Sequence, residues 1–359
     1  MLVSVITACA EAPAFDSAAY LQSGYERELG VGGPFEVPFA LSPESLAEIE
    51  SQLSSRGSAR RRAGRVVEWI FGSLGLEYAL YPTLDAEETL RARKGNCLSF
   101  VNLFIGVARH IGLNAFYVEV VDQRGWSYRQ GTVVSRGHIV AGVHLDGVLE
   151  TFDFLPYRPK SYRDLQPLED RLAVAHHYNN LGAEALISGD LETAEKHLSL
   201  VQRIAPDFVN GLNNLGVCLV RLGKTEAALA IYREGLELEP ENIAVLTNAA
   251  RLFQEQGLHE KAQVLLTRIE STRHASPYFY VYQGERAIAQ GELDQALGFL
   301  REALRRDSEL PEVHLGLVRL YLALGDLDEA RHFLIRARQL DASHPELAKV
   351  GALLAANAQ

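Results

Sequence analysis

The sequence predicts an α+β domain in the first half of the chain and an all-α solenoid of helical repeats in the second half. Three observations support this prediction. Cys97 opens an apolar run with the length of a helix, two strand patterns meet at the turn Asp146-Gly147, and from about residue 175 the same residues recur every 34 positions. At 359 residues, the chain is long enough for two domains with separate cores.

The composition argues against several classes of function. A net charge of -11 and a sequence pI near 5.5 disfavour a nucleic-acid partner. The basic cluster between Arg56 and Arg65 is more typical of a solvated helix face than of a binding patch. Cys9, Cys97 and Cys218 are too far apart for a disulfide framework or a zinc site, and we expect no cofactor.

The N-terminus is a short apolar run, residues 1 to 8, directly before Cys9. The segment Ile6-Thr7-Ala8-Cys9 resembles the lipobox of bacterial lipoproteins, in which signal peptidase cuts before a cysteine that is then lipidated. The resemblance implies a signal remnant over residues 1 to 9, lipidation of Cys9, and a periplasmic, membrane-anchored lipoprotein. The run is too short to span a bilayer and lacks a positively charged start, so a cytoplasmic protein is the alternative. Residues 10 to 40 are predicted to be a tether.

The first domain, residues 41 to 170, begins with helices. Ser42 is a residue type that often caps a helix N-terminus, and Pro43 is one that favours the first helical position. Residues 59 to 74 carry apolar side chains at helical spacing, and residues 86 to 93 form a shorter predicted helix.

Cys97 lies at the start of the next predicted helix. Asn96 is a good N-cap residue, the apolar run continues to Ile111, and Gly112 is a typical C-cap. The helix is apolar nearly all round, which predicts that it is buried. In its first turn, unpaired N–H groups and the helix dipole favour a negative charge. The sequence therefore predicts a nucleophilic sulfur at Cys97.

Three strands are predicted after this helix. Residues 115 to 121 are rich in β-branched and aromatic side chains, and a loop containing Gly125 and Trp126 is expected to follow them. Residues 137 to 145 and 148 to 155 form a hairpin, because an Asp-Gly pair between alternating strands is a strong hairpin signal.

A two-residue turn fixes the register of this hairpin. Ala141 then pairs with Phe152 on an almost wholly apolar face. His138 and Asp153 fall on the opposite face as diagonal neighbours, with backbones about 7 Å apart and side chains within reach. His144 shares that face but lies far from Asp153 along the strand, so the register selects His138 as the partner of the carboxylate.

The second half of the chain repeats with a period of 34 residues. Leu181-Gly182 recurs as Leu215-Gly216. Further positions recur in phase: Gly189, Gly223 and Gly257, then Ala194, Ala228 and Ala262. After an adjustment expected between Ser271 and Pro277, the pattern resumes with Gly291 and continues to Gly325. This set resembles the tetratricopeptide repeat (TPR), a helical hairpin that stacks into a superhelix. The resemblance implies five repeats over residues 175 to 344, a capping helix over residues 345 to 359, and a protein or peptide partner.

Cys97, His138 and Asp153 follow one another in the order Cys, His, Asp, with the thiol on a helix tip and the other two on a hairpin. This arrangement resembles the transglutaminase-like superfamily, whose papain-like fold packs a central helix against an antiparallel sheet. The resemblance implies that Cys97 attacks an amide carbonyl, His138 relays the proton and Asp153 holds the imidazole. The thioester that results would be resolved by water or by an amine.

Two features depart from the family pattern. Members often carry an acidic residue shortly after the cysteine, where this chain has Ser99, and a tryptophan soon after the histidine, where it has Val140 and Ala141. These departures leave the substrate open. The Cys97 backbone N–H is the main candidate for an oxyanion donor, and Tyr81 is a weaker one.

The sequence thus supports two functions. The first is a thiol enzyme that acts on amide bonds of a protein or peptide, as a peptidase rather than a transamidase, with the repeats recruiting its partner. The second is an interaction scaffold whose first domain is catalytically silent, so that Cys97 is a buried small hydrophobe and His138 an ordinary strand residue.

Other polar residues have structural alternatives. One asparagine per repeat is a candidate for a peptide-binding groove: Asn180, Asn214 and Asn248. Asparagine there is also common in the repeat consensus. Cys218 lies in an apolar context, where core packing is expected. His176 and His177 are adjacent and point to different faces of a helix, which argues against a shared metal ion.

Overall fold

The computed structural model describes residues 36–129, 132–154, 165–271, 277–342, 344 and 346–357. Cys9 and most of the predicted tether lie outside these residues. Contacts divide the chain into two compact units: the described residues of Met1–Gly125 and Ser135–Ile231, and those of Trp126–Val134 and Tyr232–Gln359. An α+β region is followed by an array of helices, as predicted.

The α+β region begins with four described helices whose N-termini are all capped by a side chain. They are α1 (Pro43–Gln52), α2 (Ala59–Glu68), α3 (Ala86–Ala92) and α4 (Cys97–His110). A π-helical segment, Trp69–Ser73, continues α2, so the predicted helix over residues 59 to 74 is not regular throughout. The short strands β1 (Glu77–Tyr78) and β2 (Lys94–Gly95) pair in parallel just before α4.

The central helix α4 is buried along most of its length, as its apolar sequence predicts. Its C-terminal end is held by Arg62, whose Nη1 donates to the carbonyl oxygens of Ile111 at 2.6 Å and Gly112 at 3.0 Å. Arg65 donates to the carbonyls of Ser54 and Arg56, both at 2.6 Å. Arg56, Arg60 and Arg61 are exposed, as a solvated face predicts, whereas Arg62 and Arg65 satisfy backbone carbonyls at a helix end and a turn.

The four-stranded sheet consists of β3 (Ala115–Arg129), β4 (Thr132–Leu145), β5 (Val148–Phe152) and β6 (Leu165–Leu168). Their order in the sheet is β5-β4-β3-β6. The loop predicted at Gly125 and Trp126 is wrong, because β3 continues through both residues. Residues 126 to 134 include Trp, Tyr, Thr and Val, which favour extended strands.

The predicted hairpin register is confirmed. Ala141 pairs with Phe152, and Leu145 pairs with Val148. Asp146 and Gly147 have φ angles of 55° and 81°, the left-handed pair that a two-residue type I′ turn requires. β5 ends at Phe152, before the predicted end at Leu155, which lies outside the described residues.

The helical array consists of five described hairpins and one further helix. The hairpins are α5 (Asp170–Ser188) with α6 (Leu191–Ile204), α7 (Val209–Arg221) with α8 (Thr225–Leu238), α9 (Ile243–Glu255) with α10 (His259–Ser271), α11 (Pro277–Gln290) with α12 (Leu293–Arg306), and α13 (Pro311–Leu324) with α14 (Leu327–Leu340). The helix α15 (Glu346–Asn357) follows them. No described helix is both long and apolar enough to cross a bilayer.

A glycine in the left-handed conformation follows the first helix of every hairpin. The five are Gly189, Gly223, Gly257, Gly291 and Gly325, with φ between 73° and 85°. They stand at a constant interval of 34, so the adjustment expected between Ser271 and Pro277 is wrong. Within the first hairpin, Gly182 permits close packing, because a Cβ there would lie 2.5 Å from Leu198 Cγ.

The first hairpin shares a hydrophobic core with the α+β region. The buried residues Val174, Val201 and Ile204 belong to the same cluster as Phe104 of α4 and Tyr117 of β3. Helix α5 starts at Asp170, directly after β6, rather than near residue 175. The sequence boundary between domain and repeats therefore does not coincide with a gap in packing.

Candidate active site

The first turn of α4 carries Cys97 at a tightly packed turn. Asn96 caps the helix, and its Oδ1 accepts a hydrogen bond from the Ser99 backbone N–H at 3.0 Å. Gly95 precedes Asn96, and its position has no room for a side chain, because a Cβ on Gly95 would lie 2.5 Å from Ser99 Cβ. The Cys97 side chain is half-buried, whereas its neighbours Asn96 and Leu98 are buried.

The hairpin brings His138 and Asp153 together. His138 lies on β4, Asp153 directly follows β5, and the distance from His138 Nε2 to Asp153 Oδ2 is 3.1 Å. Both side chains are about one-tenth exposed. The register accounts for this contact, because it places the two residues diagonally on the same face. Phe154, next to Asp153, points into the aromatic cluster around Phe100.

The side chain of Cys97 lies close enough to the His138 imidazole to raise the pKa of the ring. Burial lowers the pKa of His138, but the hydrogen bonds and negative charges of Asp153 and Cys97 outweigh it and raise the pKa to about 9. The arrangement therefore favours an imidazolium beside the sulfur at neutral pH.

Buried polar side chains form hydrogen bonds around the turn that precedes Cys97. The Asn96 Nδ2 donates to Thr83 Oγ1 at 2.7 Å. The Ser99 hydroxyl donates to Asn96 Oδ1 at 3.0 Å and accepts from the Leu84 backbone N–H at 2.8 Å. Ser99, which departs from the family pattern, thus ties α4 to the preceding loop. The sequence marks Ser99 as a departure and places Thr83 in the lead-in to Cys97, but it does not predict the hydrogen bonds of Thr83, because these depend on tertiary contacts.

The two adjacent histidines of α5 have separate partners. His177 is fully buried, and its Nδ1 lies 3.3 Å from Asn102 Nδ2. Burial lowers the pKa of His177 to about 3, so its ring is neutral. The ring of His176 packs against Phe208 with centroids 4.4 Å apart. Within the described part of the chain, no group of three or more His, Cys, Asp or Glu could hold a metal ion.

The aromatic surface beside the helix tip is partly open. Phe71 is 47% exposed and packs on Phe154 with ring centroids 5.7 Å apart. Its edge also contacts Phe100, which lies one turn after Cys97 in α4. Tyr81, the weaker oxyanion candidate, is 40% exposed, and its role stays a prediction.

The asparagines predicted for a groove differ in accessibility. Asn180 is partly buried, whereas Asn214 and Asn248 are buried. The Asn214 amide donates to Asn179 Oδ1 at 2.8 Å, a contact between successive repeat helices. This bond favours the structural alternative at Asn214, and the groove stays a prediction.

Cys218 is fully buried in α7, as its apolar context predicts. Burial raises the pKa of its thiol to about 11. It is therefore an inert internal reference for the half-buried Cys97.

Comparison with known families gives two matches. Residues 48–149 match the transglutaminase-like superfamily, a range that includes Cys97 and His138 and ends before Asp153. Residues 219–280 and 287–356 match the tetratricopeptide repeat. The chain thus joins a transglutaminase-like domain to tetratricopeptide repeats.

Solved structures similar to the chain include three proteins. A thermophilic TPR protein of Thermus thermophilus is 20% identical over 50% of this chain and 99% of its own, with a TM-score of 0.44. A tetratricopeptide repeat protein of Parabacteroides merdae is 24% identical over 52% of this chain and 73% of its own, with a TM-score of 0.34. The pilF protein of Pseudomonas aeruginosa is 22% identical over 52% of this chain and 86% of its own, with a TM-score of 0.38. Curated proteins gave no match.

Proposed function

We propose that the transglutaminase-like domain is a thiol enzyme acting on amide bonds of a protein or peptide, by hydrolysis rather than transamidation. The repeats recruit the protein that carries the bond. The observation that supports the proposal is the juxtaposition of Cys97, His138 and Asp153, with 3.1 Å between the imidazole and the carboxylate. This is the arrangement that nucleophilic catalysis by a cysteine requires.

The proposed reaction has two steps. The Cys97 sulfur attacks the amide carbonyl carbon, and the His138 imidazolium gives its proton to the amine that leaves, so that a thioester forms. Neutral His138 then takes a proton from water, whose oxygen attacks the thioester carbonyl; the C–S bond breaks, which releases a carboxylic acid and leaves the Cys97 thiolate beside the His138 imidazolium. Asp153 keeps the ring oriented throughout. Hydrolysis is proposed because Cys97 is only half-buried, so that water can reach a thioester formed there.

Peptide profiling tests the proposed reaction. The protein is incubated with a diverse peptide mixture, with and without a biotin-linked primary amine, and the products are identified by mass spectrometry. We expect cleaved peptides that are absent with Cys97→Ala and with His138→Asn. Incorporation of the amine without cleavage would replace hydrolysis by transamidation, and identical product patterns for all three proteins would contradict an enzyme.

The scaffold function remains the second candidate. It is favoured by Ser99, Val140 and Ala141, which stand where family members often have an acidic residue and a tryptophan. Complementation separates the two functions. A Cys97→Ala protein that fully restores a deletion strain supports the scaffold, whereas loss of function in a folded variant supports the enzyme.

The lipobox-like segment supports a further proposal, that Cys9 anchors the protein to a membrane facing the periplasm. Growth with an alkyne fatty acid should label the wild-type protein and leave Cys9→Ser unlabelled. An unlabelled wild-type protein in the soluble fraction would favour the cytoplasmic alternative.

A further inference from the structure

A chain of hydrogen bonds joins the first repeat helix to the turn that carries Cys97. Glu184 of α5 accepts from the Thr83 hydroxyl at 2.5 Å and from the Thr83 backbone N–H at 2.9 Å, both at Oε1. Its Oε2 accepts from the same N–H at 3.1 Å. Thr83 in turn accepts from Asn96, the N-cap residue next to Cys97. Thr83 and Asn96 are buried, with 2% and 6% of their surfaces exposed.

The carboxylate at one end and the Ser99 N–H at the other favour the same direction for the bonds between them. An ionised carboxylate only accepts, so it takes the single hydroxyl hydrogen of Thr83. The Thr83 oxygen can then only accept, and it must face the NH2 group of Asn96. The carbonyl oxygen of Asn96 is thereby turned toward the Ser99 N–H, where it caps α4. Without the carboxylate, the Thr83 hydroxyl could donate to a flipped Asn96 amide, and the cap would be lost.

We propose that Glu184 is a positioning residue for the nucleophile, acting through Thr83 and Asn96 on the helix tip that carries Cys97. The proposal rests on the proposed thiol chemistry and extends it, because it makes the first repeat part of the site rather than only a recruiting surface. Glu184 lies 101 residues from Thr83 in the chain, so no sequence motif around Cys97 includes it.

The test measures how fast iodoacetamide labels Cys97, so it needs no substrate. A Cys9→Ser background leaves Cys97 and the buried Cys218 as the remaining thiols. Burial raises the pKa of Glu184 by more than the hydrogen bonds from Thr83 lower it, so the pKa lies above its ordinary value. Labelling is therefore run at pH 8, which favours the ionised carboxylate. Thr83→Val removes the hydroxyl at nearly constant volume, and Glu184→Gln introduces a donor at constant size. Both should lower the labelling rate about tenfold, as displacement of a reacting group does.

Two controls separate positioning from stability. Thr83→Ser keeps the hydroxyl and should label within about twofold of the wild-type rate. Asp170→Asn weakens another contact of α5, a bidentate pair with Arg109 at 2.7 and 2.8 Å near the opposite end of α4. It should lower the melting temperature but leave the labelling rate of the folded protein unchanged.

The outcomes distinguish this proposal from the one on which it rests. Fast labelling of the wild-type protein, with Thr83→Val and Glu184→Gln equally fast, would overturn the role of Glu184 and leave the thiol enzyme standing. Wild-type labelling no faster than that of free glutathione would contradict the thiol enzyme itself. If Thr83→Val fails to fold, Glu184→Gln, which keeps the side-chain size, decides alone.

Discussion

At the scale of single residues, the chemistry depends on the charge state of one imidazole. His138 is buried, which alone would keep it neutral, yet Asp153 and Cys97 raise its pKa to about 9. A proton bound more tightly in the folded state stabilises that state. The contribution of His138 to the free energy of unfolding is therefore complete below about pH 6.5 and is lost as the pH rises through about 9.

Asp153→Asn tests this explanation of the His138 pKa. The variant keeps the side-chain shape but removes the negative charge, while burial of the ring persists. We expect the pKa, measured by NMR titration of the imidazole, to fall from about 9 to its ordinary value or below. In urea unfolding, the stability advantage of the wild-type protein should shrink as the pH rises from 6 to 9. An unchanged pKa of the His138 imidazole would contradict a role for Asp153 in the site.

Gly95→Ala tests the packing of the nucleophile turn. The added Cβ would lie 2.5 Å from Ser99 Cβ, which belongs to the buried first turn of α4. We expect a loss of about 1–3 kcal/mol in the free energy of unfolding. Gly64→Ala is the matched control: an added Cβ would meet open space beyond the backbone of its own helix, and the variant should gain about 0.5–1 kcal/mol in the middle of α2. Equal effects of both substitutions would contradict the tight turn.

At the scale of secondary structure, α4 is fixed at both ends. Asn96 caps the end that carries Cys97, and Arg62 satisfies the carbonyls at the other end. A cationic side chain there also interacts favourably with the helix dipole. The position of the sulfur is thus set by helix ends as much as by the burial of the helix between them.

Arg62→Met tests the contribution of the C-terminal end. The variant keeps an apolar stem but loses two charged hydrogen bonds, which should cost about 1–3 kcal/mol of unfolding free energy. Arg61→Met, on an exposed neighbouring position, should change it by less than about 0.5 kcal/mol. Urea denaturation of both variants measures the difference, and a loss no larger for Arg62 than for Arg61 would contradict the capping role.

Local signals in the sequence were sufficient to predict the elements that carry the site. The Asp146-Gly147 turn fixes the hairpin register, so the contact between His138 and Asp153 follows from counting along two strands. The extension of β3 past Gly125 could not be predicted in the same way, because glycine there suggests a loop. The strand-favouring residues that follow, among them Trp126 and Tyr128, outweighed that preference.

At the scale of the whole molecule, the division into a transglutaminase-like domain and repeats does not follow the packing. The first repeat hairpin contributes Val174, Tyr178 and Val201 to the core that surrounds α4. Glu184 and His177 of α5 make polar contacts with the loop and the helix behind Cys97. These contacts join residues far apart in sequence, so neither period nor motif could have predicted them.

Chains of two lengths test the shared core. A chain that ends at residue 169 lacks the first hairpin and the side chains that this hairpin contributes to the core. Each large apolar side chain lost from the core removes about 1.5–3 kcal/mol of stabilisation. We expect it to show no cooperative thermal unfolding by circular dichroism, whereas a chain that ends at residue 240 should unfold cooperatively. Cooperative melting of the shorter chain at the same temperature would show that the α+β region folds alone.

The most direct test of the central claim is the rate at which iodoacetamide labels Cys97 at pH 6, measured in the wild-type protein and in His138→Asn. An imidazolium beside the sulfur should make wild-type Cys97 react at least about tenfold faster than in the variant. Cys218, whose thiol pKa burial raises to about 11, should stay unlabelled in both folded proteins. Equal labelling of Cys97 in the two proteins, or labelling no faster than that of Cys218, would contradict an activated thiol.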